Sequence, residues 1–544
     1  MGEVPPPPQA AAPDEVPPPA QAAAPGEVPP NPPAAAPAAE KDASNADSIW
    51  WLCLSAAIVL FLVTVFVVSL VMFSGGNDCA DCTTEDADAR GGSDTSHPVV
   101  YKKITASTTK KPDQTVSSST EGSTSDAMSS LSSDVETNST EEPTTMNPAL
   151  KPLPPGSLLC TLSSGFNKST YVFPPDGLCD IITFNSLITV EKDTLNTPYD
   201  EDFTYFLETA KSHQTTEYGI GVDHNVCRNM TATEALAADN NTKTELDALW
   251  DQRIYHYGQV NTPLRVAEGD AETFAKDSAR GLQVFAKLMY NKRDEANRPS
   301  YLILHFPVYS DQWAARIAHT LTDYSIDVFV AIGHHADTDS FYKRCTMVPP
   351  TILQEGLLKH NLRLSEYPVR LATTLESLAL KASLWPSTSS FAVTLGMEGR
   401  WYRPKFPDNI TDMPGNYSLG RRCAKKAPHS GQLASISEVC KRPIYNSTFH
   451  FDKKFKALVT YNKTKRWLFT YDNAYALRLK LCEANVNALS LKYSLAAVNI
   501  EFEDGKGDCG FGPYHRLQQL KTLAAFLSTN YTSPADESAC MSFT

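Results

Sequence analysis

The sequence predicts an α/β protein whose part from about Gly156 onward folds as a (β/α)8 barrel. Three observations carry that expectation. Strand-like apolar runs alternate with helix-like amphipathic stretches along this part of the chain. The strand candidates are continuous apolar runs, as suits parallel strands buried on both faces, rather than alternating ones. The segment holds about 390 residues, enough for one large domain, and the number of repeated units favours a closed barrel over an open sheet.

What precedes the barrel has a different texture. Residues 1–48 open with a degenerate twelve-residue repeat, EVPPPPQAAAPD, EVPPPAQAAAPG and EVPPNPPAAAPA, starting at Glu3, Glu15 and Glu27. Proline density favours polyproline II and almost nothing can be buried, so this segment reads as a disordered cytosolic tail. Pro5 to Pro8 fit either a proline-recognition domain or a plain spacer.

Ile49 to Phe73 (IWWLCLSAAIVLFLVTVFVVSLVMF) is an uncharged apolar run long enough to cross a bilayer as one helix. It is too long, and too far from Met1, for a cleavable signal peptide, and reads as a signal-anchor. Lys41, set among acidic residues, and Arg90 are too few to orient it. Glycosylation sequons are more informative. Asn138, Asn167, Asn229, Asn240, Asn409, Asn416, Asn446, Asn462 and Asn530 all begin N-x-S/T and all follow the apolar run. Most cysteines lie on the same side, as an oxidising compartment predicts. The expectation is a single-pass type II glycoprotein of the plasma membrane with an extracellular C-terminal domain.

Residues 74–155 are rich in Ser, Thr, Asp and Glu and read as a disordered extracellular stalk. Cys79 and Cys82 form a C-x-x-C without βαβ context, which argues against a redox motif. They fit equally a disulfide clamp in a homodimer and a local loop bridge. Cys53 fits a palmitoylation site less well than a buried helix thiol. The net charge of −14 argues against nucleic acid as a partner.

Within residues 156–544, LLCTLSS near Leu158 and DIITFNSLI near Asp180 are strand candidates. The helix-like EDFTYFLETAKSH and the strand-like EYGIGVD from Glu217 follow. A long helical pattern from about Ala271 to Lys292 leads into YLILHFPV from Tyr301. The helix-like QWAARIAHTL precedes IDVFVAIGHH from Ile326, and SSFAVTLGMEG near Ser389 and LAAVNIEF near Leu495 complete the strands.

Both ends of this domain resemble glycoside hydrolase family 18, the chitinase barrel. LLCTLSSGFNKSTYVFPPDGLCDIITFNSL is similar to its opening, with Cys160 on a first strand and Cys179 before a second. TLGMEGRWY resembles the family's G-x-P-x-Y-G-R strand, SEVCK its E-x-C segment, and FTYDNAYALRLKLCEAN its Y-D-[DN]-x-x-S-x-x-x-K motif. LAAVNIEFEDGKGDCG resembles the last strand and the D-D-x-x-G-x-C-G turn. The ectodomain also resembles divergent chitinase-like proteins of ticks and other arthropods. The resemblance implies disulfides Cys160–Cys179 and Cys440–Cys509, each stabilising by about 2–4 kcal/mol. Cys227, Cys345, Cys423, Cys482 and Cys540 are left over, an odd number whose pairing stays open.

Family 18 enzymes carry D-x-x-D-x-D-x-E at the end of the fourth barrel strand. The Glu protonates the leaving oxygen and the preceding Asp orients the substrate's acetamide. No such motif occurs in this chain. The nearest register is IDVFVAIGHH, in which Asp327 keeps the first position while Val330, Ile332 and His334 replace the other three. The family's tryptophan beneath the sugar falls near Val498 or Asn499, neither of which supplies a stacking face. The barrel therefore reads as a pseudoenzyme, an ectodomain with a glycan or protein ligand. The alternative is an active cell-surface glycosidase with an acid pair drawn from Glu398, Glu501, Glu503 and Asp504.

Other chemistries find less support. His334, His335, Asp337 and Asp339 have the composition of a metal cluster, but H-H-x-D-x-D matches no familiar zinc spacing, so no metal and no cofactor is expected. There is no G-x-S-x-G, P-loop or G-x-G-x-x-G. His256 in IYHYG and Trp401 in GRWY are candidates for lining a cleft at the barrel top, with ordinary packing as the plainer alternative.

Overall fold

A computed structural model describes residues 152–543, apart from 167, 190–194, 196–197, 264–265, 267, 336–344, 355–366, 406–416 and 425–430. The tail, the apolar run 49–73, the stalk up to residue 151, Cys53, Cys79, Cys82, Asn138, Asn167, Asn409, Asn416, Asp337 and Asp339 lie outside the described residues. Among the described residues no helix is long and apolar enough to cross a membrane.

Eight parallel strands close into a barrel: β1 (Leu158–Leu162), β2 (Ile181–Ile188), β3 (Glu217–Val222), β4 (Ile254–Gln259), β5 (Leu302–Pro307), β6 (Val328–Ile332), β7 (Ser390–Gly396) and Tyr493–Val498, here β13. Each pairs with its neighbour in sequence, and β13 closes the ring between β7 and β1. Helices α1 (Glu201–Ser212), α2 (Asn240–Asp251), α3 (Ala271–Ala296), α4 (Asp311–Leu321), α5 (Leu371–Lys381), α6 (Ala474–Asn485) and α7 (His515–Thr529) connect them. The order β-α-β with parallel pairing is the (β/α)8 architecture.

The helices begin where the sequence supplies side-chain oxygens for orphan amides. Asp200, Asp239, Ser310 and Asn473 accept from the first-turn N–H groups of α1, α2, α4 and α6. Strand residues facing outward, such as Leu158, Ile182, Phe184, Tyr257 and Leu304, join the helices in the main core. Those facing inward, Leu159, Ile181, Tyr301, Ile303, Val328, Val330, Ala392 and Ala496, fill the barrel itself. Alternation along buried strands thus builds two apolar layers from uninterrupted apolar runs.

Between β7 and α6 the chain makes a second, five-stranded sheet from β8 (Gly399–Tyr402), β9 (Leu433–Ala434), β10 (His450–Asp452), β11 (Ala457–Asn462) and β12 (Trp467–Tyr471), in the order β10-β11-β12-β8-β9. Its pairing is antiparallel, and one face carries Tyr402, Val459 and Leu468 in a cluster of its own. Lys480 of α6 and Asp472, both fully buried, bond at 2.5 Å where this sheet returns to the barrel, and the Thr351 carbonyl accepts from the same ammonium.

Among the described residues four disulfides are formed: Cys160–Cys179, Cys345–Cys423, Cys440–Cys509 and Cys482–Cys540. Two are the pairs the family resemblance implied, and two absorb four of the five cysteines left over. Cys227 is buried and free, and burial pushes its thiol well up. Among the sequon asparagines, Asn229, Asn240, Asn446 and Asn530 are exposed. Asn462 is 3 % exposed with its Nδ2 enclosed, so this fold leaves no room for a glycan there and Asn462 drops out of the acceptor set.

The numbering of strands corrects one expectation. IDVFVAIGHH supplies the sixth barrel strand, not the fourth, so Asp327, Val330, Ile332 and His334 do not occupy the fourth-strand motif. The fourth strand is IYHYGQ, which contains no carboxylate.

Candidate functional site

The ends of the strands decide which side chains can share a site. At the N-terminal end of the barrel, acidic residues serve the sheet. Asp180 accepts from Leu158 N–H and Asp327 from Leu302 N–H, both at 2.7 Å. Each carboxylate stands before its strand and satisfies the amide that opens a neighbouring strand. Burial pushes Asp327 up to about 6, and it lies at the opposite end from the mouth. Val330 is core, and Ile332 packs on Val369.

His256 also lies inside the lower barrel rather than at the top. Its Nε2 meets Glu217 Oε2 at 3.1 Å, its Nδ1 accepts from Tyr301 N–H at 3.1 Å, and Arg298 holds the other Glu217 oxygen at 2.9 Å. The ring fits because β3 carries Gly219 beside it, where a Cβ would stand 2.8 Å from the His256 Cβ. Trp401 packs in the second sheet, with its ring 4.9 Å from Phe469 and 5.1 Å from Tyr445. Neither candidate lines the mouth, and both are satisfied by packing.

At the C-terminal end, residues just beyond β1, β6, β7 and β13 converge. Asn499, directly after β13, adopts a left-handed conformation with φ 61°. Its Nδ2 donates to Glu398 Oε2 at 3.4 Å, and its Oδ1 accepts from Ser163 Oγ at 3.2 Å. Ser163 N–H in turn donates to Glu501 Oε2 at 3.3 Å. Glu398 is fully buried, and its Oε1 has no hydrogen-bond partner among the described residues. Gly396 makes its room, since a Cβ there would lie 2.6 Å from Glu398 Oε1.

Burial pushes Glu398 up to about 7, against the opposing pull of its own backbone amide and of Arg400. Glu501 is pushed up to about 8, first by burial and then further by the charge of Glu398. Two carboxyls so placed do not both ionise readily at neutral pH, so the pair carries a proton there.

Across the mouth, His334 Nδ1 meets Thr394 Oγ1 at 2.6 Å, and the same hydroxyl accepts from Gly333 N–H at 2.9 Å. Burial, then the neighbouring His305, His335 and Arg400, hold His334 down to about 3. Burial does the same to His305 on β5. A lowered pKa of this kind favours the neutral imidazole at both positions. Among the described residues no group of three or more His, Cys, Asp or Glu could hold a metal ion.

The two remaining carboxylates named from sequence are structural. Glu503 pairs with Arg516 at 2.5 Å, and Arg516 also donates to the Met397 and Asp472 carbonyls. Asp504 accepts from the N–H groups of Asp508 and Cys509, both at 2.8 Å. Sequence reading passed over Ser163, His305 and Thr394. The signal available for the last two was a polar residue inside an otherwise apolar strand, which must find a partner once buried.

No known protein family and no curated protein matches the chain by sequence. Solved structures do match it. A group IV chitinase of Ostrinia furnacalis in complex with allosamidin is 13% identical with a TM-score of 0.47, covering 68% of this chain and 99% of its own. Human YKL-39, described as a pseudo-chitinase with retained chitooligosaccharide binding, is 11% identical with a TM-score of 0.49, over 67% of this chain and 98% of its own. A family 18 N-acetylglucosaminidase of Paenibacillus barengoltzii is 12% identical with a TM-score of 0.44, over 67% and 99%. The solved structures to which this closed eight-stranded barrel is similar are thus glycoside hydrolase family 18 chitinases and chitinase-like proteins.

Proposed function

We propose that the chain is a single-pass type II glycoprotein of the plasma membrane whose chitinase-like barrel binds a glycan or protein ligand without hydrolysing it. One observation carries the loss of hydrolysis. The fourth strand, Ile254–Gln259, holds no Asp or Glu, and its inward-facing His256 is committed to Glu217 and Tyr301. Substrate-assisted hydrolysis needs a proton donor and an orienting carboxylate on that strand. The anchor and its orientation rest on the apolar run 49–73 and on sequons found only after it.

A second reading has its own support in Glu398 and Glu501. They lie at the mouth, are linked through Asn499 and Ser163, and are raised into the range where a carboxyl can give a proton at neutral pH. An active glycosidase would draw its acid from this pair, since Glu503 and Asp504 are taken up elsewhere.

The deciding experiment uses the detergent-solubilised full-length chain with fluorogenic chitobiose and chitotriose substrates, run beside direct binding of unlabelled chitooligosaccharides. Binding without turnover supports the first reading. Turnover abolished by Glu398→Gln or Glu501→Gln establishes the second.

A further inference from the structure

Away from the mouth, a pocket of about 190 Å³ lies where the turn after β13, the starts of α6 and α7, and the second sheet meet. That is smaller than the usual site for a drug-sized ligand and suits a single small ring. None of Ser163, His334, Glu398, Asn499 or Glu501 lines it. Two aromatic side chains on its wall are left in solvent, Phe511 at 61 % exposure and Tyr475 at 46 %.

Phe511 is held there by its backbone. Gly510 and Gly512 flank it with φ 82° and 89°, values that favour glycine, and Cys509 is tied to Cys440 two residues before. Its ring stacks on His515 with centroids 5.9 Å apart and planes 20° apart. Tyr475 is braced by Phe451 at 5.3 Å and by the Arg478 guanidinium at 5.4 Å. Exposed apolar residues scattered singly are ordinary, but these two share the wall of one pocket, the arrangement that marks a ligand groove.

The charges in the pocket indicate what it takes. Glu503 is neutralised by Arg516, and Asp504 keeps its charge while accepting from two backbone N–H groups. The lining therefore presents no Lys or Arg free of an acidic partner, which argues against an anionic ligand. Of the planar polar groups, His515 suits hydroxyl groups, as does the amide NH2 of Asn473, whose Oδ1 caps α6. A neutral ligand with one apolar face and a rim of hydroxyls is a pyranose ring.

We propose that this pocket is a second ligand site, separate from the barrel mouth, that binds a pyranose residue of a neutral glycan between Phe511 and Tyr475. The test is a microarray of neutral, sialylated and sulfated glycans probed with the full-length chain and its Phe511→Ala, Phe511→Trp, Tyr475→Ala and Glu398→Gln variants. Thermal unfolding of each variant confirms that it is folded. Neutral-glycan binding is expected to fall about tenfold or more in either alanine variant, through loss of ring contact. It should persist in Phe511→Trp, which keeps a stacking face. Binding that survives Phe511→Ala but is lost in Glu398→Gln would overturn this site while leaving the mouth as the ligand site. Binding confined to charged glycans, or none to any neutral glycan, would overturn it as well.

Discussion

Asn499 donates to Glu398 across the seam between the last two barrel strands, at 3.4 Å, from a backbone turned into the left-handed region. The contact places an amide where the resemblance expects an aromatic floor, and it brings one carboxyl into the electrostatic reach of another, Glu501.

Replacing Glu398 tests that arrangement through pH. The unfolded carboxyl ionises near 4.5, whereas the folded one keeps its proton to about 7. Between those values the folded state binds more protons, so stability present below pH 4.5 is lost as pH rises to about 7. Glu398→Gln removes this loss. Urea unfolding should show the variant close to the parent at pH 4.5 and more stable by about 1–3 kcal/mol at pH 8.

The Lys480–Asp472 pair is fully buried, so removing one partner leaves a bare charge. Lys480→Met should destabilise by about 3–5 kcal/mol, and the double variant with Asp472→Leu should recover much of that. A double-mutant cycle by thermal unfolding measures the difference. Equal losses in the single and double variants would show that packing, not charge, is at stake.

Cysteine chemistry separates the barrel thiol from its bridges. Cys227 is enclosed and raised, so iodoacetamide should leave it untouched in the native chain and label it after unfolding without reductant. Cys345, Cys423, Cys482 and Cys540 should label only after reduction. Peptide mapping by mass spectrometry reads both. Cys482→Ser with Cys540→Ser should cost about 2–4 kcal/mol.

Glycan mapping on chain expressed through a secretory pathway should find occupancy at Asn229, Asn240, Asn446 and Asn530 but none at Asn462. Occupancy at Asn462 would mean that the hairpin between β11 and β12 is folded differently.

Much of the barrel was legible because its strands are long apolar runs and its helices are periodic. Seven of the eight barrel strands stand out in that way, from Leu158–Leu162 to Tyr493–Val498. The eighth, Ile254–Gln259, is interrupted by His256 and Gly258 and does not read as a buried strand. Without it the fourth-strand motif was matched to the nearest register elsewhere, IDVFVAIGHH, which put Asp327 and His334 on the wrong strand. The second sheet was also hidden, because β8 to β12 are short, polar at their ends and paired across up to seventy residues or so of chain.

The sequence by itself determined the alternating β/α architecture, the absence of the fourth-strand acid motif and the apolar run 49–73, because each depends on residue type and local order. Tertiary structure alone decided which cysteines pair beyond the two implied bridges, which of four carboxylates meet at the mouth, and which sequon is shut away. Those outcomes depend on distances between residues far apart in the chain and on the loss of water around them. Glu398 and Glu503 are the same residue type far apart in the chain: one is raised by burial against the weaker pull of Arg400, and the other is tied to Arg516 at 2.5 Å.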